Sequence, residues 1–258
     1  MNKHSFVLAA LVFSPASFAL STSFELPDDI QFAGSVVSPA PTWKWRAHPS
    51  AVGWATDWIM KKNQGVEQSD GTTRFFYDNA DKKVNRNSFL QGMMTRPSST
   101  GRADIVPVVS LLVDGGELDL NGNTLEQTPV VIPATGRTRS GATVHGKLSF
   151  TVESAYAVFY KKTGDTAKYY SQSYLGDIGW SANSILIQNT PADYTGFIPD
   201  YIRINPNEDI TAVLRGVSVP DAYDVFGSFT SSLSHFEGVW NEIPHTWTAT
   251  LTANVRMR

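Results

Sequence analysis

The final stretch of the chain narrows the choice of fold furthest. Over residues 246–257 (TWTATLTANVRM), Trp247, Ala249, Leu251, Ala253, Val255 and Met257 recur at every second position, with Thr248, Thr250, Thr252, Asn254 and Arg256 between them. Successive side chains of a strand point to opposite faces, so a period of two predicts a half-buried β-strand and is wrong for a helix. A second strand-like run, YDVFGSFTSSLSHF at 223–236, precedes it across residues 237–245. The two are expected to pair as a long hairpin.

The same periodicity recurs upstream. Ile30, Phe32, Gly34 and Val36 share one face of a strand at 30–37, and a turn at Ser38-Pro39-Ala40-Pro41 leads to Trp43-Lys44-Trp45, whose two indoles share a face and are expected in the core. Residues 105–113 read as a valine-rich strand that has Pro107 at its start and closes in Asp114-Gly115-Gly116. The acidic run at 117–123 lacks the Gly and Glu that a calcium loop beginning at Asp119 requires, because those positions hold Thr124 and Val130. Asn121-Gly122 is expected instead to turn a hairpin. Pro129 to Pro133 makes a short strand, and residues 144–160 make either one bent strand or two, with a slip near Glu153-Ser154. Residues 161–207 differ in character: Tyr169, Tyr170, Tyr174 and Trp180 stand among Gly, Ser, Asp and Asn without a sustained period. They predict an inserted, loop-rich subdomain whose aromatic side chains either fill a satellite core or stack on sugars. No helix of ordinary length is expected, and the class is all-β with a sandwich as the default.

The leading end reads as an export signal. Lys3, an apolar run at 6–13 and Ser17-Phe18-Ala19 have the order of a secretory leader, and the run is too short to span a membrane. Cleavage after Ala19 removes one Lys and no acid, so 21 basic against 24 acidic side chains become 20 against 24 and the formal charge moves from −3 to −4. This balance excludes a basic nucleic-acid surface. Behind the leader, Phe24 and Leu26 form a short apolar strand cut off by Pro27, which suits pairing with another molecule's sheet.

Catalytic chemistry finds little footing. With no cysteine there is neither a disulfide nor a thiolate nucleophile. The histidines at 4, 48, 145, 235 and 245 are not at helical metal-ligand spacing, so no metal is expected. Gly179-Trp180-Ser181-Ala182-Asn183 lacks the second glycine of a nucleophile elbow, and Asp28/Asp29 and Glu208/Asp209 sit in turns. No phosphate cradle or dinucleotide fingerprint is present, so the expectation is a protein that is not an enzyme and carries no cofactor.

The segments IQFAGSVV (30–37), WKW (43–45), VESAYAVFYKKTG (152–164) and the terminal TWTATLTANV resemble, in that order, the fimbrial adhesin family typified by antigen K eighty-eight, the kappa-class chaperone-usher fimbriae of enteric bacteria. The resemblance covers both ends and the middle of the chain. It implies an incomplete immunoglobulin-like pilin sandwich, short of its last strand and completed by donor-strand exchange, with an inserted subdomain at 161–207. It further implies a signal peptide at 1–19, a donor extension at 20–28 that inserts Phe24 and Leu26 into the next subunit, and a pilin domain at 29–258 whose groove is edged by Leu251, Ala253, Val255 and Met257. The partners implied are neighbouring subunits, a periplasmic chaperone and an outer-membrane usher. The location implied is a fimbrium on the bacterial surface, reached through the periplasm, serving attachment to host cells. The family's major subunit ends in aromatic residues and this chain in Met257-Arg258, which with the divergent insertion points to a minor subunit. The alternative is a glycan-binding adhesin that contacts host glycoconjugates through Tyr169, Tyr170, Tyr174 and Trp180.

Overall fold

The computed structural model describes residues 43–56, 58–77, 87–120, 122, 127–165, 169–174, 176–189, 201–204 and 209–257. The leader, the strand at 20–26 with Phe24 and Leu26, and the strand at 30–37 lie outside the described residues.

Two strands of unusual length form the spine. β8 (Thr143–Lys162) and β11 (Ala222–Trp240) run antiparallel along most of their length at the centre of a ten-stranded sheet. On one side of this pair β11 is followed by β4 (Asn87–Met94) and β1 (Trp43–Ala47); on the other, β8 is followed by β7 (Thr128–Arg137) and β12 (Thr246–Ala249). Beyond the central path, β2 (Val66–Glu67) pairs with β3 (Thr73–Phe76), which pairs with β11, and β9 (Tyr169–Ser173) joins β10 (Tyr201–Ile204) to β8. A second, three-stranded sheet has the order β13 (Thr252–Met257), β5 (Pro107–Val113), β6 (Gly116–Leu120). The all-β expectation holds: the chain is mostly antiparallel strand, in a curled sheet.

The two sheets share one core. Val109, Leu111, Leu120, Leu251 and Ala253 from the smaller sheet and its approach belong to the same buried cluster as Val130, Phe150, Val152, Tyr156 and Phe229 of the larger. Hydrogen bonds fix the spacing: Tyr156 Oη donates to Pro107 O (2.9 Å) and Trp43 Nε1 to Ile105 O (2.7 Å). Trp43 and Trp45 stack at 5.4 Å and pack on the core as expected, Trp45 reaching Phe229 at 5.6 Å. The position opposite Trp45 must be glycine, because a Cβ on Gly92 would lie 2.3 Å from the indole.

β7 shows why two prolines are tolerated inside a sheet. Its burial alternates along its whole length, placing Val130, Ile132 and Ala134 inward. Val131 accepts from Asp114 N (3.1 Å), so its polar groups point away from β8. Pro129 and Pro133, two residues to either side, direct their missing donors the same way, and no ladder bond to β8 is lost.

Several expectations are corrected. β11 and the last strand do not form a hairpin: the terminal run splits at Thr250–Leu251 into β12, which pairs with β7, and β13, which pairs with β5. The alternation survives this corner, with Leu251 and Ala253 buried and Trp247, Ala249, Val255 and Met257 partly so. The strands before and after residues 121–122, β6 and β7, belong to different sheets and form no hairpin with each other; a turn at Asp114-Gly115, as expected there, joins β5 to β6. β8 is one continuous strand. The irregularities lie opposite it in β11, at Tyr223/Phe226 and Ser234/Glu237, where Asp224 (φ 49°) and His235 (φ 54°) take the left-handed conformation of bulged residues.

The largest correction is α2 (Asp177–Asn189), a thirteen-residue helix within the stretch expected to be loops. It buries Ile178, Ala182, Ile185 and Leu186, and Ala182 O accepts from Ser228 Oγ of β11 (2.7 Å). Ser228 pairs with Ala157 on the same face, so small side chains of β8 and β11 leave the helix room. Ile178, Ala182, Leu186 and Tyr169 join the main core. Two one-turn helices, α1 (Ala51–Ala55) and α3 (Ile210–Leu214), and two 3-10 turns, Lys62–Gln64 and Ala103–Ile105, complete the described elements.

Candidate functional site

The first site to consider is the edge formed by β13. Its strand partner is β5, with Ala253 opposite Leu111 and Val255 opposite Val109, and it borders the three-stranded sheet among the described strands. The four residues singled out along it do share one face. Leu251 and Ala253 are fully buried, whereas Val255 and Met257 are half-buried, so the apolar stripe becomes more accessible toward its end.

The opposite face of this sheet is held by a single carboxylate. Glu117 of β6 accepts from Ser110 Oγ of β5 (3.1 Å), from Asn254 Nδ2 (3.1 Å) and from Arg256 Nη2 of β13 (2.8 Å). One acidic side chain thus spans all three strands and ties the border strand down by charge-assisted bonds, which are the stronger kind.

Tyr169, Tyr170, Tyr174 and Trp180, the candidate glycan contacts, do not form a platform. Tyr169 and Tyr170 are neighbours in β9 and point to opposite faces. Tyr169 is buried, with its hydroxyl donating to Asp224 Oδ2 (3.5 Å) and the Lys161 ammonium over its ring. Tyr170 stacks on Tyr160 at 5.6 Å and donates to Asp165. Tyr174 is half-buried, and burial first and the nearby Asp209 second raise its hydroxyl pKa. Trp180 is exposed on α2, but the Arg203 guanidinium lies 3.4 Å from its ring centre, so one face is taken.

A different aromatic assembly encloses a cleft of about 880 Å³. Its floor is the inner face of the large sheet, with Ile132, Leu148, Phe150, Leu233 and Phe236, and Leu251 closes the end nearest β13. The walls are Trp54 of α1, Trp58, Tyr77 and Trp247 of β12, all half-buried, above the buried Trp240. The rings brace one another: Trp58 lies 5.1 Å from Tyr77 and 5.9 Å from Trp247, and Tyr77 lies 5.4 Å from Trp247. Trp240 is laid over Gly146, where a Cβ would come within 2.4 Å of the indole, so only glycine at that point keeps the cleft base low. Three indole N–H groups are already engaged, Trp54 to Ser88 O (3.0 Å), Trp58 to Trp54 O and Trp240 to the Tyr77 hydroxyl. Burial pushes the Tyr77 phenol up to about 12, and the Trp240 donor partly offsets it.

Four of the chain's seven tryptophans therefore meet at one cleft, and three of them, Trp54, Trp58 and Trp240, carry no signal in the period-two pattern. Trp54 and Trp58 stack at 6.4 Å, yet α1 ends at Ala55 and Thr56 is extended, so no helical or strand period brings these two rings together. Among the described residues, no three His, Asp or Glu side chains come together as metal ligands. No helix among them is long and apolar enough to cross a membrane. No protein-family model matches the chain, and no curated protein matches it.

Proposed function

We propose that the protein is a fimbrial subunit, exported, held by a periplasmic chaperone, passed to an outer-membrane usher and polymerised by donor-strand exchange, with a minor rather than a major place in the fibre and a role in attachment rather than catalysis. The observation that carries the reading is the position of β13. A strand that borders its sheet among the described strands, with an inward apolar stripe of Leu251, Ala253, Val255 and Met257, is a surface onto which another chain's strand can be added, main-chain bonds supplying affinity and alternate side chains supplying register. The core shared between two unequal antiparallel sheets is compatible with an immunoglobulin-like pilin sandwich. In this reading residues 20–28 are the donor, and Phe24 and Leu26 enter the neighbouring subunit, each worth roughly 1.5–3 kcal/mol on full burial.

The test is isolation of a tagged copy from the periplasm. A stoichiometric immunoglobulin-like chaperone is expected to accompany it, and a chain lacking residues 20–28 should still be captured by the chaperone but fail to join a fibre as donor. A stable monomer that binds no chaperone and has residues 20–28 folded against its own β13 would refute the proposal.

A further inference from the structure

The aromatic cleft has a second property besides its rings. In a chain with more acidic than basic side chains, its described lining includes Lys62, Arg139 and His245 and contains no Asp or Glu. Arg139, exposed in the turn between β7 and β8, and Lys62, exposed after α1, take part in none of the ion pairs between described residues. Cationic groups stand at the mouth of an apolar hollow, and Thr246 and Thr248 add hydroxyls on the β12 side. A volume of about 880 Å³ lies within the range of small-ligand sites.

These features select a ligand class. With the indole N–H groups of Trp54, Trp58 and Trp240 spent on protein acceptors, the walls present mainly ring surface, whose negative π face attracts weakly positive C–H groups. A pyranose offers such a face of C–H bonds on one side and hydroxyls around its edge. The guanidinium and ammonium, which form no ion pair with a described residue, call for an anionic group, and a carboxylate fits the guanidinium fork in bidentate fashion. An acyl chain would satisfy the floor but leave the threonine rim unused. We propose that this cleft binds an acidic saccharide, its ring laid against Trp58, Tyr77 and Trp247 and its carboxylate at Arg139 and Lys62. The site meets the stripe of β13 only at Leu251 and is separate from Trp180, and the inference does not depend on assembly into a fibre.

Isothermal titration calorimetry of the purified full chain tests it, with sialyllactose as the probe and lactose and decanoate as comparisons. Saturable binding of sialyllactose at millimolar or lower concentration is expected, with lactose at least about tenfold weaker, a difference of ~1.4 kcal/mol. Arg139→Ala, on an exposed turn that leaves the packing intact, should weaken sialyllactose by about tenfold or more, and Trp247→Ala should do the same, whereas Trp180→Ala should change it by less than about twofold. The proposal is overturned by absence of saturable sialyllactose binding, by equal affinity for lactose, by an unaffected Arg139→Ala variant, by loss on Trp180→Ala instead, or by saturation with decanoate alone. Because the readout is binding by the isolated chain, its failure leaves the chaperone-capture result untouched, and the reverse also holds.

Discussion

Glu117→Ala is the sharpest probe of how β13 is held. The substitution removes an ion pair with Arg256 whose side chains are 60% and 37% exposed, so that pair alone contributes only ~0.2–1 kcal/mol. It also deprives Ser110, which is 0% exposed, of the carboxylate its hydroxyl donates to, and a buried hydroxyl left without a partner costs ~1–3 kcal/mol. Glu117→Ala should therefore destabilise the fold by about 2 kcal/mol, while Arg256→Ala should cost less than about 1 kcal/mol, because it leaves the Ser110 bond in place. Urea denaturation monitored by tryptophan fluorescence measures both, and amide exchange should place the added opening in β13. The decisive measurement is the Ser110→Ala background, in which no buried hydroxyl remains to be stranded and Glu117→Ala should cost less than about 1 kcal/mol. If Arg256→Ala costs as much as Glu117→Ala, or if the Ser110→Ala background leaves the Glu117→Ala effect undiminished, the reasoning from burial is wrong.

Three further outcomes are expected. Trp240→Ala, which empties a fully buried site over Gly146, should lower stability by ~3–5 kcal/mol in calorimetric melting, at the upper range for a core aromatic. Tyr77 has a folded-state pKa of about 12 against the ordinary 10.0, so its contribution is complete below pH 10.0 and is lost as pH rises through 12; melting temperature should fall across that window, and Tyr77→Phe should flatten the fall. Asp209 accepts from Thr211 N (2.9 Å) at the start of α3 and from Arg215 Nη2 (3.0 Å), so Asp209→Ala should cost ~1 kcal/mol in chemical denaturation.

Strands were legible wherever one face alone is buried. Ile132 and Ala134 in β7, and Leu251 and Ala253 at the end, announce themselves through alternation, and Pro107 marks the start of β5 correctly. The signal fails where both faces are covered: residues 153–160 of β8 are buried without interruption, with α2 on one side and Pro107 of the smaller sheet reached by Tyr156 on the other, so the period slips there although the strand is continuous. α2 itself was illegible for a related reason. Its sequence DIGWSANSILIQN carries Gly, Ser and Asn, which are weak helix formers, and Trp180 interrupts the polar face, so tertiary packing rather than propensity stabilises it. Pairing partners were not readable at all. Whether a strand such as 246–257 stays in one sheet depends on what stands opposite, and neighbourhood in sequence to 223–236 pointed to the wrong partner. The cleft is not legible in the sequence because its walls come from four separate segments that share no period.

The corner at Thr250–Leu251 has a consequence for how this segment tolerates change. Side-chain parity is carried through it unbroken, so Trp247 enters the cleft and Ala253 enters the core only while the count of residues between them stays odd or even as it is. Substituting Thr250, which faces solvent, disturbs neither. Deleting it would turn one half of the ribbon inside out, sending either the indole or the inward stripe of β13 to water. Length at this position is under far tighter restriction than chemistry, and a one-residue deletion there should be more damaging than any single replacement.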